Sequence, residues 1–334
     1  MTDMGASDAA SVITHPSKPL GHYQTGFHTF LLFVAVFIVL HNALVLVLYL
    51  RRKTLRSVTN SILVSTACAD LMTGLLLIPL LVCSAALSGR GPILYPLYFT
   101  SNVIADFLTI AIVGNLLLVI TERYVSLCHP YRYPLLARRS IVKTAVCSLW
   151  LLSFVIAVVP LIWSYEAVAG KRPSKSQPSQ IYSVILLVTV FFLPSGIILF
   201  FLASMYKVVK RFASQDVVRG LRSKEPTGSQ KKAIIVFLAM FINLLICWSP
   251  MIIVRLIMDT NLQFSPGKVL LEILFTLRCS SSLVNPVIYV WCKEDFKLAI
   301  KATFFNISSK AFRDTAQDSH KSVNALNLME EAKL

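Results

Sequence analysis

Seven stretches of this chain stay apolar for long enough to cross a bilayer, which takes about 20 helical residues: roughly 27–50, 58–85, 97–127, 141–164, 180–206, 232–258 and 268–291. Nothing else in the sequence narrows the fold as far. Hydrocarbon offers a backbone N–H or C=O no water, so a spanning segment must satisfy its own hydrogen bonds, and runs of this length do so as helices. The fold class that follows is an all-α membrane protein, a seven-transmembrane helix bundle over 27–291. The composition agrees, with 56% hydrophobic and only 14% charged residues. No repeated unit suggests the paired halves of a transporter.

The net charge of +16 raises the question of nucleic acid, but a nucleic-acid face gathers its cations on one soluble surface. Here 24 of the 32 Lys and Arg fall in the alternate connections and the tail. That asymmetry predicts an extracellular N-terminus (1–26) and a cytoplasmic C-terminus in the plasma membrane, with no nucleic-acid partner. Residues 1–26 lack the apolar core of a cleavable signal, so the first span is expected to insert as its own signal. After the last span, 292–305 reads as a short amphipathic eighth helix on the membrane surface. Phe296, Ile300, Thr303 and Phe304 share one face, and Lys293, Lys297 and Lys301 another. The segment 306–334 is polar and expected to be a disordered tail. The seven cysteines lie in or at the ends of apolar runs and read as small apolar packers.

Polar residues inside the spans carry the function. Asn42, Asp70, Asn115, Asn243 and Asn285 are costly against lipid, so each is expected to face the bundle interior, joined in a polar network. Pro79, Pro160, Pro194, Pro250 and Pro286 each free a carbonyl that a neighbour must satisfy. At the end of the third span, Glu122-Arg123 sets a charge pair at a membrane boundary. His28 and His41 are too isolated for a metal pair, and no nucleophile triad or phosphate loop is evident. The chain reads as neither an enzyme nor a cofactor protein.

Together these residues closely resemble the rhodopsin-like (class A) G-protein-coupled receptors. The marks stand one per span and in order: Asn42, Ala69-Asp70, Glu122-Arg123-Tyr124, Trp150, Pro194, Cys247-Trp248-Ser249-Pro250, and Asn285-Pro286-Val287-Ile288-Tyr289, followed by Phe296 in the eighth helix. The resemblance implies a bistable switch. Arg123, paired with Glu122 at rest, extends into a cavity opened by the sixth helix to meet a heterotrimeric G protein, with Tyr124 and Tyr289 beside it. It assigns Asn42, Asp70, Asn285 and Pro286 to the activation network and Trp248 with Pro250 to the toggle below the ligand. Arrestin and receptor kinases are further implied partners, with Ser308, Ser309, Thr315, Ser319 and Ser322 of the tail as candidate phosphorylation sites. Asp70, with Ser282 and Asn285, is a weak candidate sodium site, because Ile112 stands where such sites carry serine. The sequon Asn306-Ile307-Ser308 lies on the cytosolic side and is expected to carry no sugar.

Three positions depart from the family pattern. Tyr98 replaces the cysteine of the outer disulfide. Gln230 replaces the acid that locks the motif's arginine to the sixth helix. Leu202 stands where a tyrosine supports the active state, leaving Tyr206 one turn further on as a candidate substitute. A weakly latched resting state with basal signalling is the expectation.

For the ligand, the resemblance implies a pocket around Ala105, Asp106, Thr109, Trp248, Ile252, Arg255, Phe275 and Arg278. Ala105 occupies the position of the amine-binding aspartate, and Asp106 sits one residue, about 100°, round the helix. Leu186 and Val190 offer no hydroxyls, and Cys279 replaces the lysine that would hold retinal. An aliphatic cleft with one or two guanidinium groups suits an amphipathic acid or lipid. Arg278 pairing with Asp106, and Arg255 pairing with Glu272 or reaching the surface, are structural alternatives. A peptide- or amine-liganded receptor, and in another class a transporter or channel, remain open. Membrane lipids complete the partners.

Overall fold

The computed structural model describes residues 20–86, 94–163, 177–218, 226–259 and 266–304. The N-terminal segment 1–19, most of the 165–180 loop, and the sequon and tail serines lie outside them. Eight main helices follow in order among the described residues, with a four-residue helix, Tyr133–Leu136, between the third and fourth: α1 (Leu20–Arg51), α2 (Val58–Ala86), α3 (Leu94–Cys128), α4 (Arg139–Val158), α5 (177–218), α6 (Pro226–Asp259), α7 (Lys268–Cys292) and α8 (Glu294–Phe304). The first seven contain apolar windows long enough to span a membrane, and no strand occurs among the described residues.

Helix α3 is the hub. Half or more of its apolar window (56%) is buried, against 11% for α4, because α2, α4 and α5 all pack on it and α6 touches it. Its inward stripe reads Leu108, Ile112, Asn115, Val119 and Glu122, all buried and spaced at three or four residues as one helix face requires. The two polar members of this stripe therefore turn inward along with the apolar ones.

Two helices pass through a wide π-type turn, Thr73–Leu77 in α2 and Leu187–Phe192 in α5. Each contains the carbonyl four residues before a proline, Leu75 before Pro79 and Val190 before Pro194. A proline has no N–H for that carbonyl and its ring crowds it; the wide turn relieves both problems and bends the helix. Pro250 and Pro286 lie inside α6 and α7.

Some boundaries differ from those read in the sequence. Helix α5 continues to Val218, twelve residues past the end of its apolar run. Backbone hydrogen bonding needs no apolar side chain, and Met205 and Val209 keep the helix docked. The apolar face of α8 meets the protein as well as lipid: Phe296 and Ala299 are fully buried against α7, α1 and the turn Lys53–Leu55. Arg52 secures its far end, donating from Nη2 to Thr303 Oγ1 at 3.0 Å. Among the cysteines, Cys247 and Cys279 are buried packers, whereas Cys83 and Cys147 are exposed on the outer faces.

Gly74 marks the closest approach of α1 and α2. A Cβ there would lie 2.9 Å from Val39 Cγ2 and 3.1 Å from the Ala35 carbonyl oxygen, and neither a stiff β-branched side chain nor a backbone can yield cheaply. Gly74→Val is expected to cost about 1–3 kcal/mol, read as a lower melting temperature of the purified protein. An unchanged melting temperature would mean that the α1–α2 contact is looser than this.

Candidate functional site

The chemistry is concentrated at the two ends of the bundle and along a polar seam between them. At one end, adjacent residues on a helix point about 100° apart, yet the long side chains of Glu122 and Arg123 curl into contact, and a third group bonds to both. That group is Thr59 of α2. Its hydroxyl donates to Glu122 Oε2 at 2.9 Å and accepts from Arg123 Nη2, while Arg123 Nε lies 3.3 Å from the same carboxylate oxygen. The other oxygen, Glu122 Oε1, accepts from Tyr133 at 2.7 Å, which fixes the four-residue helix Tyr133–Leu136 under α3. Burial, followed by the Glu122 charge and hydrogen bond, pushes the Tyr133 phenol well above its ordinary range. The Glu122 side chain is buried and the Arg123 side chain about a third exposed.

Lys293, between α7 and α8, hydrogen-bonds Asn60 Oδ1, and Asn60 in turn donates to the Leu55 carbonyl at 2.9 Å. Burial and then the Arg123 charge bring the Lys293 ammonium down to about 8. Tyr124 faces away from this cluster and stacks on Phe201 of α5, centroids 4.3 Å apart. Leu202 is buried while Tyr206 is 61% exposed, so Tyr206 points out of the bundle and is no substitute for an inward tyrosine. The Tyr289 side chain lies outside the described residues.

Along the seam, Asn285 donates to Asp70 Oδ2 at 3.3 Å and accepts from Asn243 at 3.1 Å. Asn243 also accepts from Cys247 Sγ at 3.4 Å. Pro286 leaves the Ser282 carbonyl without its helical donor, and Asn42 of α1 supplies one at 3.1 Å. Four of the five expected polar residues are therefore linked across α1, α2, α6 and α7. Asn115 is the exception: it is buried, but bonds only its own helix, at Ala111.

At the opposite end, the structure reassigns the charges. Arg255, not Arg278, pairs with Asp106, Nη1 to Oδ1 at 3.0 Å, tying α6 to α3. Arg278 reaches α3 one turn deeper, where Nη2 donates to the Ala105 carbonyl at 3.0 Å and Thr109 Oγ1 at 2.5 Å. Its guanidinium carbon lies 4.8 Å from the Trp248 ring centroid, a cation–π contact. Among the described residues no carboxylate pairs with Arg278. Arg278, Trp248, Thr109, Ile112 and Ser282 line a void of about 10 Å³, roughly the room of one water, and the buried Trp248 Nε1 has no hydrogen-bond partner. Ile252 and Phe275 pack against the core beside it without lining it.

Sequence reasoning missed Thr59, although a signal was present. Thr59, Thr66, Asp70 and Thr73 recur at one-face spacing on α2 and all are buried. Tyr133, in a connection, belongs to no periodic pattern. Trp150 finds its partner in Ser65, at 2.9 Å.

A seven-helix bundle with a charge cluster at one end, a closed cationic pocket at the other and a hydrogen-bonded seam between them is the frame of a membrane receptor. The profile described as 7 transmembrane receptor (rhodopsin family) matches residues 41–289, and the chain belongs to that family. It is thus a receptor and not an enzyme, and the transporter or channel reading falls. The chain is 28% identical to the adenosine receptor A2b of Gallus gallus, covering 84% of this chain and 87% of the relative. It is 24% identical to the histamine H2 receptor of Cavia porcellus, covering 84% and 80%. To the 5-hydroxytryptamine receptor 5B of Mus musculus it is 25% identical, covering 90% of each.

Because Thr59 holds both members of the charge pair, Thr59→Val removes a hydrogen bond to each. Bonds to charged groups contribute about 1.5–3 kcal/mol, and the resting arrangement should weaken accordingly. The expected result is a severalfold rise in signalling by unliganded cells, normalised to surface expression. Signalling equal to wild type would show that Thr59 is not what holds the pair.

Proposed function

We propose that this receptor transduces binding of an amphipathic acid, a lipid-like molecule with a carboxylate or sulfate, into activation of a heterotrimeric G protein. The observation that carries this is that two donors belong to residues lining one void: Arg278, in ion-pair contact with no carboxylate among the described residues, and Trp248, whose buried indole N–H has no hydrogen-bond partner. Both offer hydrogen to an acceptor, and an anion supplies acceptors and countercharge together. The aliphatic surroundings suit the rest of such a ligand. The void is too small for it as it stands, so binding must part α7 from α3. That is how a ligand selects one state of a bistable element.

The ligands in the relatives' names are a nucleoside and two amines, so similarity alone does not choose among them. Chemistry disfavours an amine. Ala105 occupies the amine position, and Asp106, the nearest acid, is already held by Arg255. An ammonium would have to displace a guanidinium and sit beside Arg278.

The Glu122-Arg123 end is proposed to face the cytosol and receive the G protein's C-terminal helix, with residues 1–26 outside the cell and 306–334 as the cytoplasmic tail that receptor kinases and arrestin act on. Plasma-membrane placement belongs to the same reading, as do the roles of Tyr124 and Tyr289 at the output and of Trp248 and Pro250 at the toggle. With Gln230 in place of a sixth-helix acid, the latch on Arg123 consists of Glu122 and Thr59, and basal signalling follows.

Two measurements test this. In a G-protein activation panel of fatty, bile and steroid-conjugate acids, the hit compound should lose about tenfold to a hundredfold in potency on Arg278→Ala, the worth of one charge-assisted contact. Unchanged potency in both Arg278→Ala and Arg255→Ala, or activation by amines alone, would overturn the acid reading. Separately, unliganded wild-type receptor should signal above an Arg123→Ala control at equal surface expression; equal signals would refute the weak latch.

A further inference from the structure

A positive charge inside a membrane bundle is costly unless a negative charge stands beside it. Arg278 is in ion-pair contact with no carboxylate among the described residues, and the acceptors of its Nη2, the Ala105 carbonyl and Thr109 Oγ1, are both neutral. The two acids on the inward faces are engaged elsewhere. Asp106 is held by Arg255 at 3.0 Å. Asp70 accepts from Asn285 at 3.3 Å and does not line the void beside Arg278. The hydroxyls that do line it have their own bonds: Thr73 donates to the Ala69 carbonyl at 3.2 Å, Thr109 to the Ala105 carbonyl at 2.6 Å, and Ser282 bonds Asp70. Trp248, only 3% exposed, also lines the void, and its indole N–H has no partner. The site is thus short of one negative charge and one acceptor.

We propose that the void beside Arg278 is a halide site, holding one chloride ion in the closed receptor as the countercharge of the guanidinium. A halide supplies what the lining lacks: it carries the charge, accepts from several N–H donors at once and brings no hydrogen that needs an acceptor of its own. The volume of about 10 Å³ is roughly the room of one water, and chloride is little larger, whereas a polyatomic anion does not fit while the helices stay closed. A water would fit as well but would leave the charge uncompensated. Thr109, Trp248 and Arg278 belong to α3, α6 and α7, so an ion between them joins three helices and favours the closed arrangement over an open one. An activating acid that reached Arg278 would displace the ion. That last consequence rests on the acid reading above; the binding of chloride does not.

The test uses full-length receptor purified without ligand, in phosphatidylcholine nanodiscs at fixed sodium and ionic strength, with chloride exchanged for gluconate. Chloride should raise the melting temperature saturably, and its NMR line should broaden with the same midpoint. Bromide should act as chloride does, and sulfate should not. Arg278→Gln should abolish both signals. Trp248→Phe keeps an aromatic ring but removes the N–H, and should weaken the midpoint about tenfold, the worth of one hydrogen bond to a charged group. Lys210→Gln removes an exposed cation elsewhere and should leave the midpoint unchanged. Should Arg278→Gln be too unstable to purify, Trp248→Phe decides. Equal melting in chloride and gluconate would mean that the void holds water only and would overturn the site. Binding undiminished in either pocket variant, binding lost in Lys210→Gln, or sulfate as effective as chloride would overturn it too. None of these measurements contains an organic acid, so the halide site fails here, whereas the acid reading fails on agonist potency.

Discussion

Every polar group in this bundle has to find its partner within the protein, because the surrounding hydrocarbon supplies none. The bond from Asn42 to the Ser282 carbonyl shows how far that constraint reaches. Pro286 removes the helical donor for this carbonyl, and Asn42, on a helix 240 residues earlier in the chain, replaces it. The break in α7 is therefore tolerable only because α1 is in place. Asn285, adjacent to the break, is free to bridge Asp70 and Asn243, so the weak point of one helix becomes the junction of four. A seam assembled in this way offers more than one acceptor to each donor, which a uniformly apolar core does not, and the proposed switch between two states draws on that.

The two ends divide the work differently. At the Arg123 end the positive charge is restrained by one buried carboxylate and one hydroxyl, both within reach of α2 and α3 alone. Releasing it requires no rupture of a bond to α6. At the Arg255 end, α6 and α3 are joined directly by an ion pair whose arginine side chain is 41% exposed, so solvent screens it and its contribution is modest. At the end where the ligand is proposed to enter, a direct charge contact thus joins α6 to α3, whereas the Glu122-Arg123 pair is held by α2 and α3.

The seven spans, the amphipathic helix and the inward polar residues were legible from sequence because a polar residue in an apolar run has few places to go. The pairing of the charges was not. Pairing of Arg278 with Asp106 was one structural alternative, but the choice between Arg255 and Arg278 depends on how three helices pack side by side, and spacing along one helix does not encode that. Thr59 was overlooked because a lone threonine in a membrane helix usually bonds its own backbone, as Thr66, Thr73 and Thr109 do here. The end of α5 was misjudged because hydropathy records where lipid stops, not where the helix stops.

The wide turn at Leu187–Phe192 bears on how this receptor is to be compared with its relatives. A π-type turn takes up one more residue than an α-turn, and one residue is worth about 100° of rotation. Helix α3 is continuous from Leu94 to Cys128, so counting back from Arg123 to Ala105 preserves the facing of each side chain. Counting back from Pro194 to Leu186 crosses the wide turn. A relative without that turn would present a neighbouring residue to the pocket at the same offset. Inferring shared ligand contacts on α5 from aligned position alone therefore carries a built-in twist.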